Sequence, residues 1–155
     1  MAYSPSPAFV SVSPADPASI TNATAKMAGL GAAAAAFVIT PQTTGRVLVI
    51  VTGDMTSGAT AATCAIQLSY GTGSAPANAG TLTGTQVGGN VTWVSLTGAL
   101  RSAFTLSTVI TGLAVPSINS QGVTGAATQV WLDVAQSSST SSLQLKNCTC
   151  TAIEL

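Results

Sequence analysis

Two short stretches constrain the fold of this chain more than anything else in it: GRVLVIVTG at residues 45–53 and TCAIQLSYG at residues 63–71. In the first, Val47, Val49 and Val51 alternate with Leu48 and Ile50, so both faces are apolar, as a central strand requires. In the second, Cys64, Ile66, Leu68 and Tyr70 point one way and Ala65, Gln67 and Ser69 the other, which predicts a strand with one wet face. Residues 91–96, 102–113, 128–136 and 142–155 have the same texture, with weaker candidates near 20–27 and 34–40. In the last run, Leu143, Leu145 and Ile153 are expected on one face and Gln144, Lys146, Cys148, Cys150 and Glu154 on the other. Clusters of Gly, Pro, Asn and Ser separate the runs, and no amphipathic helix of useful length interrupts them. About eight strands joined by irregular glycine-rich loops predict an all-β, antiparallel β-sandwich, jelly-roll-like or, alternatively, Ig-like.

The 155 residues suffice for one core, assigned to residues 20–155. Residues 1–19 hold Pro5, Pro7, Pro14 and Pro17, which exclude a regular helix and a central strand. They are expected to form an extended N-terminal arm, either laid along a neighbouring subunit with Tyr3, Phe9 and Val10 as apolar anchors or simply a frayed terminus.

The run GLGAAAAAFVIT at residues 29–40 resembles the apolar core of an export signal. It is too far from the start for that role and too short to span a membrane, which takes about 20 apolar residues. Five alanines are also below the length at which a helix stands alone, and Phe37, Val38, Ile39 and Thr40 favour strand. The expected structure is a strand over 37–40, a turn over 41–45 and a returning central strand over 46–52. The alanines then lead into a hairpin and offer a contact edge at Phe37.

Only 5% of the residues are charged, against a usual quarter, and the net charge is zero. Ala, Gly, Ser and Thr make up 82 residues, so hydroxyls and amides must cover the surface. A surface with so little charge repulsion favours association. Four scattered cations cannot neutralise the phosphates of a nucleic-acid footprint, so no nucleic-acid partner is expected, nor a membrane one.

Histidine is absent, which removes the usual Ser-His and Cys-His pairs. Asp54 and Asp133 could in principle form a glycosidase carboxylate pair, but Asp54 reads better as a turn residue after Gly53, and Asp133 as a polar residue on a strand. Cys148 and Cys150 supply two thiols where a closed zinc site needs four ligands. With Cys64 they are expected to be free and buried. No catalytic residue, cofactor or metal is therefore expected. Trp93 and Trp131 are read as core or inter-subunit contacts in preference to a sugar platform.

In chain order, KMAGL, ITPQTTGRVLVIVTGDM, IQLSYGTGSAPANAGTLTGTQVG and the terminal CTAIEL resemble small β-rich structural proteins of tailed bacteriophages and prophages. The likeness covers roughly residues 26–155, and the run Ala32 to Ala36 is longer and plainer than the type. The resemblance implies a non-enzymatic virion protein made in the bacterial cytoplasm. Its implied place is the head surface, as a capsid decoration or cement protein binding the major capsid protein and its own copies, as a homotrimer. The alternative it implies is a tail or fibre module that recognises host glycans.

Overall fold

The computed structural model describes residues 6–21, 23–31, 36–58, 61–95, 101–119, 122–123, 125–139 and 142–155. Every regular element among them is a strand: β1 (Phe9–Val12), β2 (Lys26–Met27), β3 (Val38–Ile39), β4 (Val47–Ser57), β5 (Thr63–Thr72), β6 (Thr85–Val94), β7 (Arg101–Ile110), β8 (Ile118–Asn119), β9 (Gly122–Val123), β10 (Val130–Ser138) and β11 (Leu143–Glu154). Sheet A has the order β1-β11-β4-β7 and sheet B the order β2-β10-β5-β6, with β3 also on β10; β8 and β9 form a separate small hairpin. All pairings are antiparallel.

β2 and β3 form one interrupted strand along β10. Between them Ala28 N–H donates to Val134 O and Leu132 N–H to Phe37 O, so the ladder is resumed on both sides of an excursion. With β2 and β3 counted as one and the small hairpin set aside, the eight strands pair first with eighth, second with seventh, third with sixth and fourth with fifth. That is a jelly roll, and it excludes the Ig-like alternative, whose strand order differs.

The core lies between the sheets. Val47, Val49, Val51 and Met55 of β4 face Cys64, Ile66 and Leu68 of β5 and Val130, Leu132 and Val134 of β10 across it. β4 is central in its sheet, as its composition predicts, but Leu48 and Ile50 on its other face are only half-buried. β5 alternates as expected except at Ser69, which is buried because its hydroxyl donates to Thr83 O across the outer face.

Four expectations need correction. The strand at 37–40 does not form a hairpin with β4: β3 joins sheet B and β4 sheet A, so residues 41–45 cross between sheets. Asp54 lies within β4, not in a turn. In β11 the register shifts between Lys146 and Thr149, and Asn147 takes a left-handed φ of 52°. This bulge inserts one residue and reverses the alternation. Leu143 and Leu145 are therefore followed inward by Cys148, Cys150, Ala152 and Glu154, and Ile153 turns outward. Gly53 sits opposite the bulge, where an added Cβ would lie 2.9 Å from Lys146 O.

The fourth correction concerns the N-terminal segment, which is extended but lies on its own domain. Phe9–Val12 forms the edge strand on β11, which a proline-flanked segment can supply because an edge strand has one unpaired side. Beyond it Pro14 and Pro17 are buried, Pro17 O accepts from Gln144 Nε2, and Ile20 exchanges backbone hydrogen bonds with Leu143.

Candidate functional site

The outer face of sheet B is partly covered by its own chain. Met27, Trp131 and Ala135 are buried there, with Val38 and Ala75 packed against them. Trp131 lies over Gly71 and Gly84 and donates its indole N–H to Thr72 O at 3.2 Å. An added Cβ on Gly71 would be 2.4 Å from its ring, so the glycine is what allows the indole to lie flat.

The outer face of sheet A differs. Strand register aligns Phe9, Ile153, Leu48 and Val109 in one row across all four strands. Phe9 is 65% exposed and Val109 41%. The next row is Ser11, Thr151, Ile50 and Ser107, and the one after it Thr149, Thr52 and Thr105. Beyond the β11 bulge come Lys146 with Asp54, then Gln144, Thr56 and Arg101. The face thus grades from apolar, through hydroxyl, to charged along the strands.

Of the residues expected at a subunit contact, Phe9 is the one this face exposes. Val10 and Trp93 are half-buried and pack on the core of their own chain. Phe37 (0% exposed) and Trp131 (3%) are buried in their own chain and have no surface to offer, which corrects the expected contact at Phe37 and, for Trp131, selects the core over the inter-subunit alternative. Tyr3 lies outside the described residues, as do Ala32 to Ala35. Leu48, Val109 and Ile153, which share this row with Phe9, were not singled out from the sequence. Their apolar character is plain, but only the register aligns them, and Ile153 reaches that face only because of the bulge.

The buried carboxylates Glu154 and Asp133 are engaged in holding the fold. Glu154 is 3% exposed, and its carboxylate accepts five backbone N–H bonds: Oε2 from Ala8 (2.9 Å) and Gln42 (2.8 Å), Oε1 from Thr43 (2.7 Å), Thr44 (2.8 Å) and Gly45 (3.1 Å). Burial disfavours its ionised form, but the amides of Ala8, Gln42, Thr43 and Thr44 outweigh burial and bring the pKa down to about 2. Asp133 accepts from Gly29, Leu30 and Val134 at the base of the excursion between β2 and β3. There burial prevails over those three bonds and pushes the carboxyl up to about 6.

Asp54 points out of sheet A, and Asp133 out of the opposite face of sheet B. The core between two packed sheets, about 10 Å thick, separates them, which is not the geometry of a carboxylate pair acting on one bond. Cys64, Cys148 and Cys150 are free and buried. Burial, with nearby Asp16 and Asp54, pushes the Cys148 thiol up to about 12. Burial also takes Cys150 to about 12, so both stay protonated at neutral pH and neither is a ready nucleophile or ligand. Among the described residues no three Cys, Asp or Glu side chains are grouped to hold a metal ion, and no helix is long and apolar enough to cross a membrane.

No protein-family model matches the chain, and no curated protein is similar to it.

Proposed function

We propose that this chain is a non-enzymatic structural protein of a tailed-phage virion, a decoration protein that binds the outside of the head and reinforces it. In this reading its partners are the major capsid protein and its own copies, arranged as a homotrimer. The observation that carries the reading is the outer face of sheet A, where Phe9, Ile153, Leu48 and Val109 line up beside rows of hydroxyls. Three long strands and one short one span roughly 500 Å² in projection, on the order of what one partner contributes to a standard interface. A neutral, hydroxyl-rich surface costs less to desolvate than a charged one, and repetition over a shell multiplies weak contacts into avidity. The resemblance of residues 26–155 to phage structural proteins supplies the virion context.

The test is to add the purified protein to heads depleted of it and to measure binding and heat resistance. Binding is expected, with an increase in the temperature at which the heads rupture, and Phe9→Ser combined with Val109→Ser is expected to weaken both. Immunogold labelling of virions should mark the head. Label on the tail, or heads that rupture at the same temperature with and without the protein, would reject the reading.

A further inference from the structure

The charged end of the same face contains a pocket of about 480 Å³ whose walls include Ser19, Thr56, Arg101, Ser142, Gln144 and Lys146. This size falls within the range of small-molecule sites. Two cations and several hydroxyls face it, and none of the residues that line it carries a carboxylate.

Each cation has one carboxylate beside it, but both acids have a shorter hydrogen bond to Asn147. Asp54 accepts from Asn147 Nδ2 at 3.0 Å, and Asp16 from the Asn147 backbone N–H at 2.8 Å, so both acids brace the β11 bulge. Their contacts with the cations are longer: Arg101 to Asp54 is 3.8 Å and Lys146 to Asp16 is 3.4 Å. A guanidinium has five N–H donors, and among the described residues Arg101 has only that one long ion pair, with its side chain 55% exposed. Exposed ion pairs of this kind contribute little, so an incoming anion gives up little to recruit the two cations.

We infer that this pocket binds an acidic sugar residue. Its oxyanion would sit on Arg101, whose planar fork takes a carboxylate in two parallel bonds, with Lys146 beside it. Its ring hydroxyls would meet Ser19 and Ser142, which both donate and accept, the oxygen of Thr56, whose proton goes to Gln144 O, and Gln144 Oε1, the Nε2 of that side chain being held by Pro17 O. The inference stands on the pocket and does not depend on the virion reading.

The experiment titrates the full chain, labelled with nitrogen-15, with glucuronate, N-acetylneuraminate, glucose and inorganic phosphate in separate arms, following amide shifts. Glucuronate or N-acetylneuraminate should saturate shifts at Thr56, Arg101 and Gln144; whichever binds tighter identifies the acidic sugar. Glucose and phosphate should each bind about tenfold more weakly, because each carries half of the recognised chemistry. Arg101→Gln and Lys146→Gln, each with a dispersed spectrum that shows it folded, should weaken binding of the acidic sugar by a similar factor. The inference is overturned if neither acidic sugar saturates, if phosphate or glucose binds as tightly, if the shifts fall elsewhere, or if the variants bind like the parent.

Discussion

Replacing Glu154 by Gln keeps the side chain's shape and removes only its charge and one acceptor. Five backbone N–H groups converge on the carboxylate at 2.7–3.1 Å, so the substitution acts directly on that cluster. Holding the acid at about 2 instead of its ordinary 4.5 corresponds to about 3 kcal/mol at about 1.36 kcal/mol per pH unit, and the part-buried setting of four of its five hydrogen bonds reduces this to about 2. In the variant the new NH₂ group faces the amides of Ala8 and Gln42, which lose their acceptor at a further cost of about 1 kcal/mol. The expected loss at neutral pH is therefore about 3 kcal/mol, or about 6–12 °C in Tm for a chain of this size.

The pH dependence separates this account from a general packing defect. A lowered folded-state pKa contributes stability that is fully present above the ordinary value of 4.5 and is lost as pH falls toward about 2. Urea midpoints of the parent and Glu154→Gln should differ by a constant amount above pH 5 and converge on acidification. Asp133 titrates in both proteins and cancels in the difference. Equal midpoints at pH 7, or a gap that does not shrink below pH 4.5, would refute the reasoning.

Asp133, raised to about 6, works in the opposite sense: its contribution is fully present below about 3.8 and is lost as pH rises through about 6. Asp133→Asn should therefore flatten the urea midpoint between pH 4 and 6, where the parent loses up to about 3 kcal/mol. A parent curve already flat over that interval would count against the account. Gln136 is fully buried, and both of its amide atoms lack a partner among the described residues. Gln136→Met conserves volume and should stabilise the fold by about 1–2 kcal/mol, raising the urea midpoint at constant m-value; a destabilised variant would show that the amide is partnered. Gly71→Ala would place a Cβ 2.4 Å from Trp131 and should cost about 1–3 kcal/mol with a red shift of tryptophan emission; unchanged emission would be inconsistent with the packing described.

The fold class was legible because β4 and β5 carry their periodicity in their own residues. Sheet membership was not, since nothing local to Phe37 and Val38 says that the next strand lies in the other sheet. What separates them is residues 41–45 closing around Glu154, more than a hundred positions away. The last strand was misread from one missing fact, the left-handed Asn147. A bulge leaves almost no mark in a polar stretch such as Lys146-Asn147-Cys148, yet it inverts every residue after it. Phe9 is exposed, as the expectation of a contact there requires, because it points outward from an edge strand and no other described residue covers it. Phe37 was read as available, and Trp131 was left between core and contact, because side-chain size is visible in sequence and the segments that cover a side chain are not.

The strand pairings nest one inside another, and nesting orders them in time. β5 and β6 are joined by the short connection at residues 73–84 and can close first. Each later pairing then closes a loop already shortened by the one inside it. β1 meets β11 across almost the whole chain, with Phe9 opposite Ile153, so that pairing should form last and on the slow timescale of non-local sheets. Pulse-labelled hydrogen exchange should accordingly protect β5 and β6 amides before those of β1. The apolar row across sheet A would then be completed only at the final step, so chains still folding would not yet display that row in full.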